Sequence, residues 1–218
     1  MATALLLAVL AVILPAALAG LGRRAGSAGA GGHLRAVAAL AALATGLATA
    51  SVLLIPGDMR LSWPAPPDWL TLVWGLGTAG LFIWVIGGPL MRLPETLGLS
   101  GFERGMAILE RLPRWAVAVS VLVGGVAEEL LYRFVGFGLL TNIWGEPAAF
   151  LVASFCFGLA HWPLWGAGPA VSTAVSGAIF TGLYAVHGDL WACILAHVLI
   201  DAAGLLRNVG KAGATLAD

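Results

Sequence analysis

Glu128-Glu129-Leu130-Leu131-Tyr132-Arg133 places two adjacent carboxylates and an arginine inside residues 115–140, a run that is otherwise apolar and long enough to cross a bilayer. A spanning helix needs about 20 mainly apolar residues. An ionised side chain at bilayer depth costs several kcal/mol, so such groups persist there with a partner or a function. Outward from this stretch, the next apolar segment carries Phe157-Gly158-Leu159-Ala160-His161, and the last carries His197-Val198-Leu199-Ile200-Asp201. Polar chemistry therefore converges on a lipid-embedded site.

The composition agrees. The 218 residues are 60% hydrophobic and 10% charged, and the mean hydropathy is +0.97, which excludes an ordinary soluble domain. The chain reads as an all-α integral membrane protein. Zero net charge and no basic run longer than Arg23-Arg24 argue against nucleic-acid binding. Cys156 and Cys193 both fall in apolar segments, where they read as small packing residues rather than a disulfide or metal pair. Abundant glycine and alanine let helices approach closely.

Apolar segments at residues 4–21, 34–55, 69–91, 115–140, 148–162, 169–186 and 190–206 predict a polytopic transmembrane bundle of about seven spans. Residues 1–218 read as a single membrane domain, with 1–114 supplying the first three spans and an interfacial segment and 115–207 carrying the polar motifs. In residues 92–114, Arg92, Glu95, Glu103, Arg104, Glu110, Arg111 and Arg114 alternate with apolar residues, the pattern of an amphipathic helix lying at the interface. Basic residues favour the cytoplasmic side. Arg23, Arg24 and Arg35, then Arg92, Arg104, Arg111 and Arg114, then Arg207 and Lys211 fall in alternate connections, with only Arg60 opposite. This places the N-terminus outside and the C-terminus in the cytoplasm, in the cell membrane. Leu5 to Leu14 followed by Ala17-Leu18-Ala19 also fits a cleaved signal peptide. The absence of positive charge before that run, with Arg23-Arg24 after it, favours a resident span.

Residues four apart share a helix face, whereas neighbours differ by about 100°. Glu129 therefore faces Arg133, and the pair reads as a structural clamp in which each charge satisfies the other. Glu128 projects elsewhere and is left for chemistry, as a tunable general base for water. His161 and His197 join it, and Asp201 lies one turn from His197, placed to fix its tautomer or to face the same cavity. Glu128, His161 and His197 are also a zinc-ligand inventory with room for water, so a metal-bound water and a water held by Glu128 and His161 are both open. His187 and His33 read as solvated loop residues. No His-Glu-x-x-His motif and no Gly-x-Gly-Asp motif occurs. Ser176-Gly177 resembles a rhomboid serine, but Ala174 stands where that motif has glycine, which weakens a serine–histidine dyad.

Glu-Glu-x-x-x-Arg, Phe-x-x-x-His and His-x-x-x-Asp, in this order on separate apolar segments, closely resemble the CAAX protease and bacteriocin-processing (CPBP) family, which includes the type II CAAX prenyl endopeptidases. The resemblance covers roughly residues 115–207. It implies an intramembrane endopeptidase acting on a membrane-anchored or lipidated peptide, with Glu128 and His161 activating water and His197 and position 201 stabilising the oxyanion. The family often has asparagine at that last position. An ionised Asp201 is a poor oxyanion donor, so it is protonated, orients His197 or serves a metal. Descriptions of the family as glutamic-type and as metalloprotease leave the cofactor open between a divalent metal such as zinc and none. The alternative functions are a non-catalytic membrane scaffold or chaperone and a proton-coupled transporter.

Depth poses a problem. On regular helices Glu128 falls near mid-membrane, His161 toward the cytoplasmic end and His197 toward the outer end. Either some boundaries differ, or segments after Pro147 are short, tilted or broken beside a wet cavity. The brevity of residues 148–162 favours the second.

Overall fold

A computed structural model describes residues 1–25 and 29–206. Regular structure among them is helical throughout: α1 (Ala2–Ala25), α2 (Gly29–Leu53), α3 (Trp69–Thr96), α4 (Glu103–Leu109), α5 (Arg114–Trp144), α6 (Glu146–Trp165), α7 (Ala167–His187) and α8 (Leu190–Leu206). Six of these, all but α4 and α8, are long and apolar enough to cross a membrane, and α8 is a shorter apolar helix. The expected membrane helix bundle is present. Arg207 and Lys211, used above for orientation, lie outside the described residues.

Two boundaries need correction. First, α2 begins at Gly29, so His33 and Arg35 sit inside that helix rather than in a solvated loop. Second, residues 92–114 are not one interfacial helix. Arg92 and Glu95 belong to the last turns of α3, Gly98 at φ 69° ends that helix, and only the seven residues of α4 are helical before Pro113 precedes α5. A glycine in the left-handed region and a proline at a helix start are what breaks the amphipathic run.

The bundle is built around α5 and α6. The α6–α7 hairpin closes tightly because Gly158 and Gly177 lie between the two helices. A Cβ on Gly158 would stand 2.5 Å from the Ala170 carbonyl oxygen, and one on Gly177 would stand 2.9 Å from Phe157. Small residues at such a seam let backbones approach within van der Waals range. Ala4, Ala8, Ala11 and Val12 of α1 are buried in the same core, against α6 and α5. The first apolar segment is thus packed as part of the bundle.

The outside is apolar. Trp84, Leu122, Leu151 and Phe155 are exposed, as expected of side chains that face lipid. Trp69, Trp115, Trp144, Trp162 and Trp191, also exposed, lie near helix ends, the distribution of an aromatic interface belt. This is an integral membrane protein.

Capping fixes the end of the bundle at which α3 and α8 begin. Asp68 accepts the Leu70 and Thr71 N–H groups and caps α3. Asp189 accepts the Ala192 N–H at 3.1 Å and the Thr71 hydroxyl at 2.6 Å, which ties the start of α8 to that of α3. The connection between α2 and α3 folds back over α5, where Trp63 stacks on Phe134 at 5.7 Å.

At the opposite end, the α6–α7 turn is covered. Trp165 packs against Gly105 and Phe102, while Gly168 abuts the Ser100 carbonyl and Pro94. His161, one turn from the end of α6, therefore has protein above it. Of the segments after Pro147 expected to be short, tilted or broken, α6 is a continuous 20-residue helix, and its end is roofed by residues of the α3–α4 connection and α4. Only α8 is short. Among the described residues, three π-helical stretches widen the spans locally, at Phe82–Ile86, Leu130–Phe137 and Ala202–Leu206. Two of them begin directly after Glu129 and Asp201, and π turns concentrate at functional positions.

Candidate active site

The site grows from α5. Glu129 and Arg133 are fully buried, and Arg133 Nη1 donates to Glu129 Oε1 at 3.0 Å. Arg133 Nη2 donates to the Gly177 carbonyl at 3.2 Å. The guanidinium lies over the rings of Phe157 and Phe180, with centroids at 4.4 and 5.3 Å. A buried ion pair recovers its desolvation cost only with close geometry and further contacts, and here a carbonyl and two aromatic faces supply them. Glu129 Oε2 and Arg133 Nε have no hydrogen-bond partner among the described residues.

Glu129 does more than hold the arginine. Its Oε1 also accepts a 2.6 Å hydrogen bond from His197 Nδ1 on α8. A carboxylate accepts only, so the proton resides on Nδ1. The tautomer-fixing expected of Asp201 thus comes from Glu129. Asp201 Oδ2 lies instead 3.5 Å from His197 Nε2.

His161 is fixed in a parallel way. Its Nδ1 donates to the Phe157 carbonyl at 2.8 Å, one turn back on α6, which leaves Nε2 toward the centre. Glu128 Oε2 lies 3.8 Å from His161 Nε2 and 3.7 Å from His197 Nε2. Both separations exceed a direct hydrogen bond and suit one bridging water. The side chains of Glu128, His161 and Asp201 are 22%, 18% and 38% exposed against 7% for His197, so three groups are open to a cavity and the fourth stands behind them. That cavity has a volume of about 690 Å³, and its walls are mainly apolar.

The residues expected to meet, Glu128, His161, His197 and Asp201, do come together, beside the Glu129–Arg133 pair. As potential metal ligands the fit is poor: among the described residues no group of three or more His, Cys, Asp or Glu side chains is arranged to hold a metal ion. Ser176 donates its hydroxyl to the Ser172 carbonyl at 3.1 Å within α7, and no histidine pairs with it among the described residues. His187 is exposed and stacks on Trp74 at 3.8 Å. His33, expected in solvent, lines the cavity and bonds Ser120 at 2.8 Å.

Sequence reasoning marked Phe157 within the Phe-x-x-x-His pattern without giving it a role, and it missed Phe180. Phe157 lies against Arg133, Tyr132, His161 and His197, and the Phe180 ring lies tilted against His197 with centroids 5.4 Å apart. The signal for Phe157 was its place one turn before His161. Nothing in the sequence marks Phe180.

Fold and site together define a membrane-embedded helix bundle with a glutamate–histidine centre that opens into an apolar cavity. Residues 110–203, which contain all six polar residues of the centre, match the family model described as Type II CAAX prenyl endopeptidase Rce1-like. Over that stretch the chain is similar to the type II CAAX prenyl endopeptidases. No curated protein and no solved structure matches it.

Proposed function

We propose that the protein is an intramembrane endopeptidase that hydrolyses a peptide bond in a membrane-anchored or lipidated substrate, using water activated by Glu128 and His161. The observation that carries this reading is the convergence of Glu128 Oε2 with two imidazole Nε2 atoms at 3.7 and 3.8 Å beside an apolar cavity. Water between Glu128 and His161 gives a proton to the Glu128 carboxylate as its oxygen attacks the scissile carbonyl carbon. The oxyanion so formed meets His197. With Nδ1–H committed to Glu129, a second proton on Nε2 makes His197 the oxyanion donor, and Asp201 orients that imidazolium. Glu128 then returns its proton to the departing amide nitrogen, so water is consumed and two peptide ends are released. No step is routed through a metal.

The walls suit such a substrate. The cavity is lined by apolar residues from α1, α2, α3, α4 and α5, which receive a lipid anchor while the peptide reaches the polar centre. In our reading the N-terminus faces outward and the α4 end of the bundle faces the cytoplasm of a cell membrane.

Mass spectrometry of a lipidated reporter peptide incubated with detergent-purified protein tests the proposal. Wild type should yield two fragments, and Glu128→Gln should yield none while keeping its thermal unfolding profile. Equal cleavage by both would sink it.

A further inference from the structure

Ser176, the rhomboid-like serine of the sequence, has no histidine partner among the described residues and no part in the mechanism, yet it lines the cavity. The hydroxyl side chains on the cavity wall concentrate on α7, as Ser172, Thr173 and Ser176. Each hydroxyl hydrogen is already committed. Thr173 donates to the Pro169 carbonyl at 2.6 Å and Ser176 to the Ser172 carbonyl at 3.1 Å, both within the helix. Ser172 donates to the Leu90 carbonyl of α3 at 2.7 Å, an acceptor without its helical partner because Pro94, four residues on, has no N–H. Ser172 is therefore a tie between helices, whereas Thr173 and Ser176, partly exposed on the cavity wall, retain acceptor capacity only. Their neighbours fix their place. Gly177, next to Ser176, gives its carbonyl to Arg133, and Phe180, one turn on, lies against His197. Ser176 is thus level with the centre, and Thr173 stands one turn nearer the covered α6–α7 turn.

We propose that Ser176 and Thr173 position the substrate by accepting two of its backbone N–H groups, so that the peptide lies extended along α7 beside Glu128 and His197. This rests on the endopeptidase reading and adds positioning residues to the same site. The demand is physical. A peptide N–H without a partner is costly at bilayer depth, and a segment held extended for hydrolysis cannot satisfy its own as a helix does. Among the other polar side chains on the wall, Ser120 is bonded to His33, Tyr132 is fully buried, and Glu128, His161 and Asp201 belong to the chemistry. The two α7 hydroxyls are the acceptors left for the backbone. Spacing agrees: residues three apart on a helix hold their Cβ atoms about 5–6 Å apart, and N–H groups on one edge of an extended chain recur at about 6.6 Å. A segment that stays helical in the cavity, with its N–H groups already paired, gains nothing from α7.

The test measures binding, so that it does not depend on cleavage. The full-length Glu128→Gln protein in detergent is titrated with the lipidated reporter peptide and with analogues in which one amide at a time is replaced by an ester, which removes a single N–H. Two ester positions, two residues apart, should each weaken binding by about two- to tenfold, the scale of one hydrogen bond. The penalty at one of them should vanish in Ser176→Ala and at the other in Thr173→Val. Both substitutions delete a hydroxyl that bonds back within its own helix, so α7 keeps its fold, and their unfolding temperatures should match the parent's. Uniform affinity across the ester series, or penalties that persist in both variants, would overturn the proposal. The expected pattern in a protein whose wild type cleaves nothing would instead overturn the endopeptidase reading and leave this docking edge standing.

Discussion

Glu129 on α5 and His197 on α8, 68 positions apart in the chain, share a 2.6 Å hydrogen bond through the same carboxylate oxygen that holds Arg133. One buried atom therefore sets both the charge balance of the core and the proton position on a site histidine. Arg133 in turn donates to the Gly177 carbonyl of α7, so three helices meet at this pair. The clamp and the chemistry are one network.

Glu129→Gln removes the charge that balances Arg133 while preserving shape. A buried cation left unpaired costs about 3–5 kcal/mol, so this variant should unfold at a markedly lower temperature in detergent than Glu128→Gln. Matching unfolding temperatures would show that Glu129 carries no structural load.

Phe157→Leu keeps an apolar side chain on α6 but loses the ring that lies against Arg133, His161 and His197. We expect a loss of about 1–2 kcal/mol in stability from the desolvated cation–π contact. We also expect kcat to fall with KM held, because the ring spaces the two histidines and does not line the cavity. A change confined to KM would contradict that assignment.

Asp201→Asn replaces a carboxylate that cannot donate with an amide that can. It should retain cleavage to within about tenfold, whereas Asp201→Leu, with neither charge nor donor, should fall by about a hundredfold or more. Steady-state kinetics on one reporter peptide separates the two. Equal losses would show that the carboxylate charge itself is required.

How much of this was legible in the sequence follows from distance along the chain. The Glu129–Arg133 contact is one helical turn, so spacing alone reveals it, and the apolar runs mark every span to within a few residues. The Glu129–His197 bond crosses 68 positions, so no local pattern announces it, and helix periodicity pointed to Asp201 instead. His33 was misread because small residues at Gly29 to Gly32 look like a loop but are the first turn of α2. Likewise, nothing in the sequence signals that the Trp165 end of α6 is covered by other parts of the chain. Contacts of Trp165 with Gly105, and of Gly168 with Ser100, bury that end beneath another part of the chain, and a tertiary roof of this kind has no sequence period.

In the proposed mechanism Glu128 activates water with no metal in the reaction path. Cleavage of the lipidated reporter by wild type and Glu128→Gln, after exhaustive chelation with metal content measured on the same samples, tests it most directly. Metal-stripped wild type should keep full activity, and Glu128→Gln should fall by at least about a hundredfold. Activity that disappears on chelation and returns only when a divalent metal is restored would contradict it.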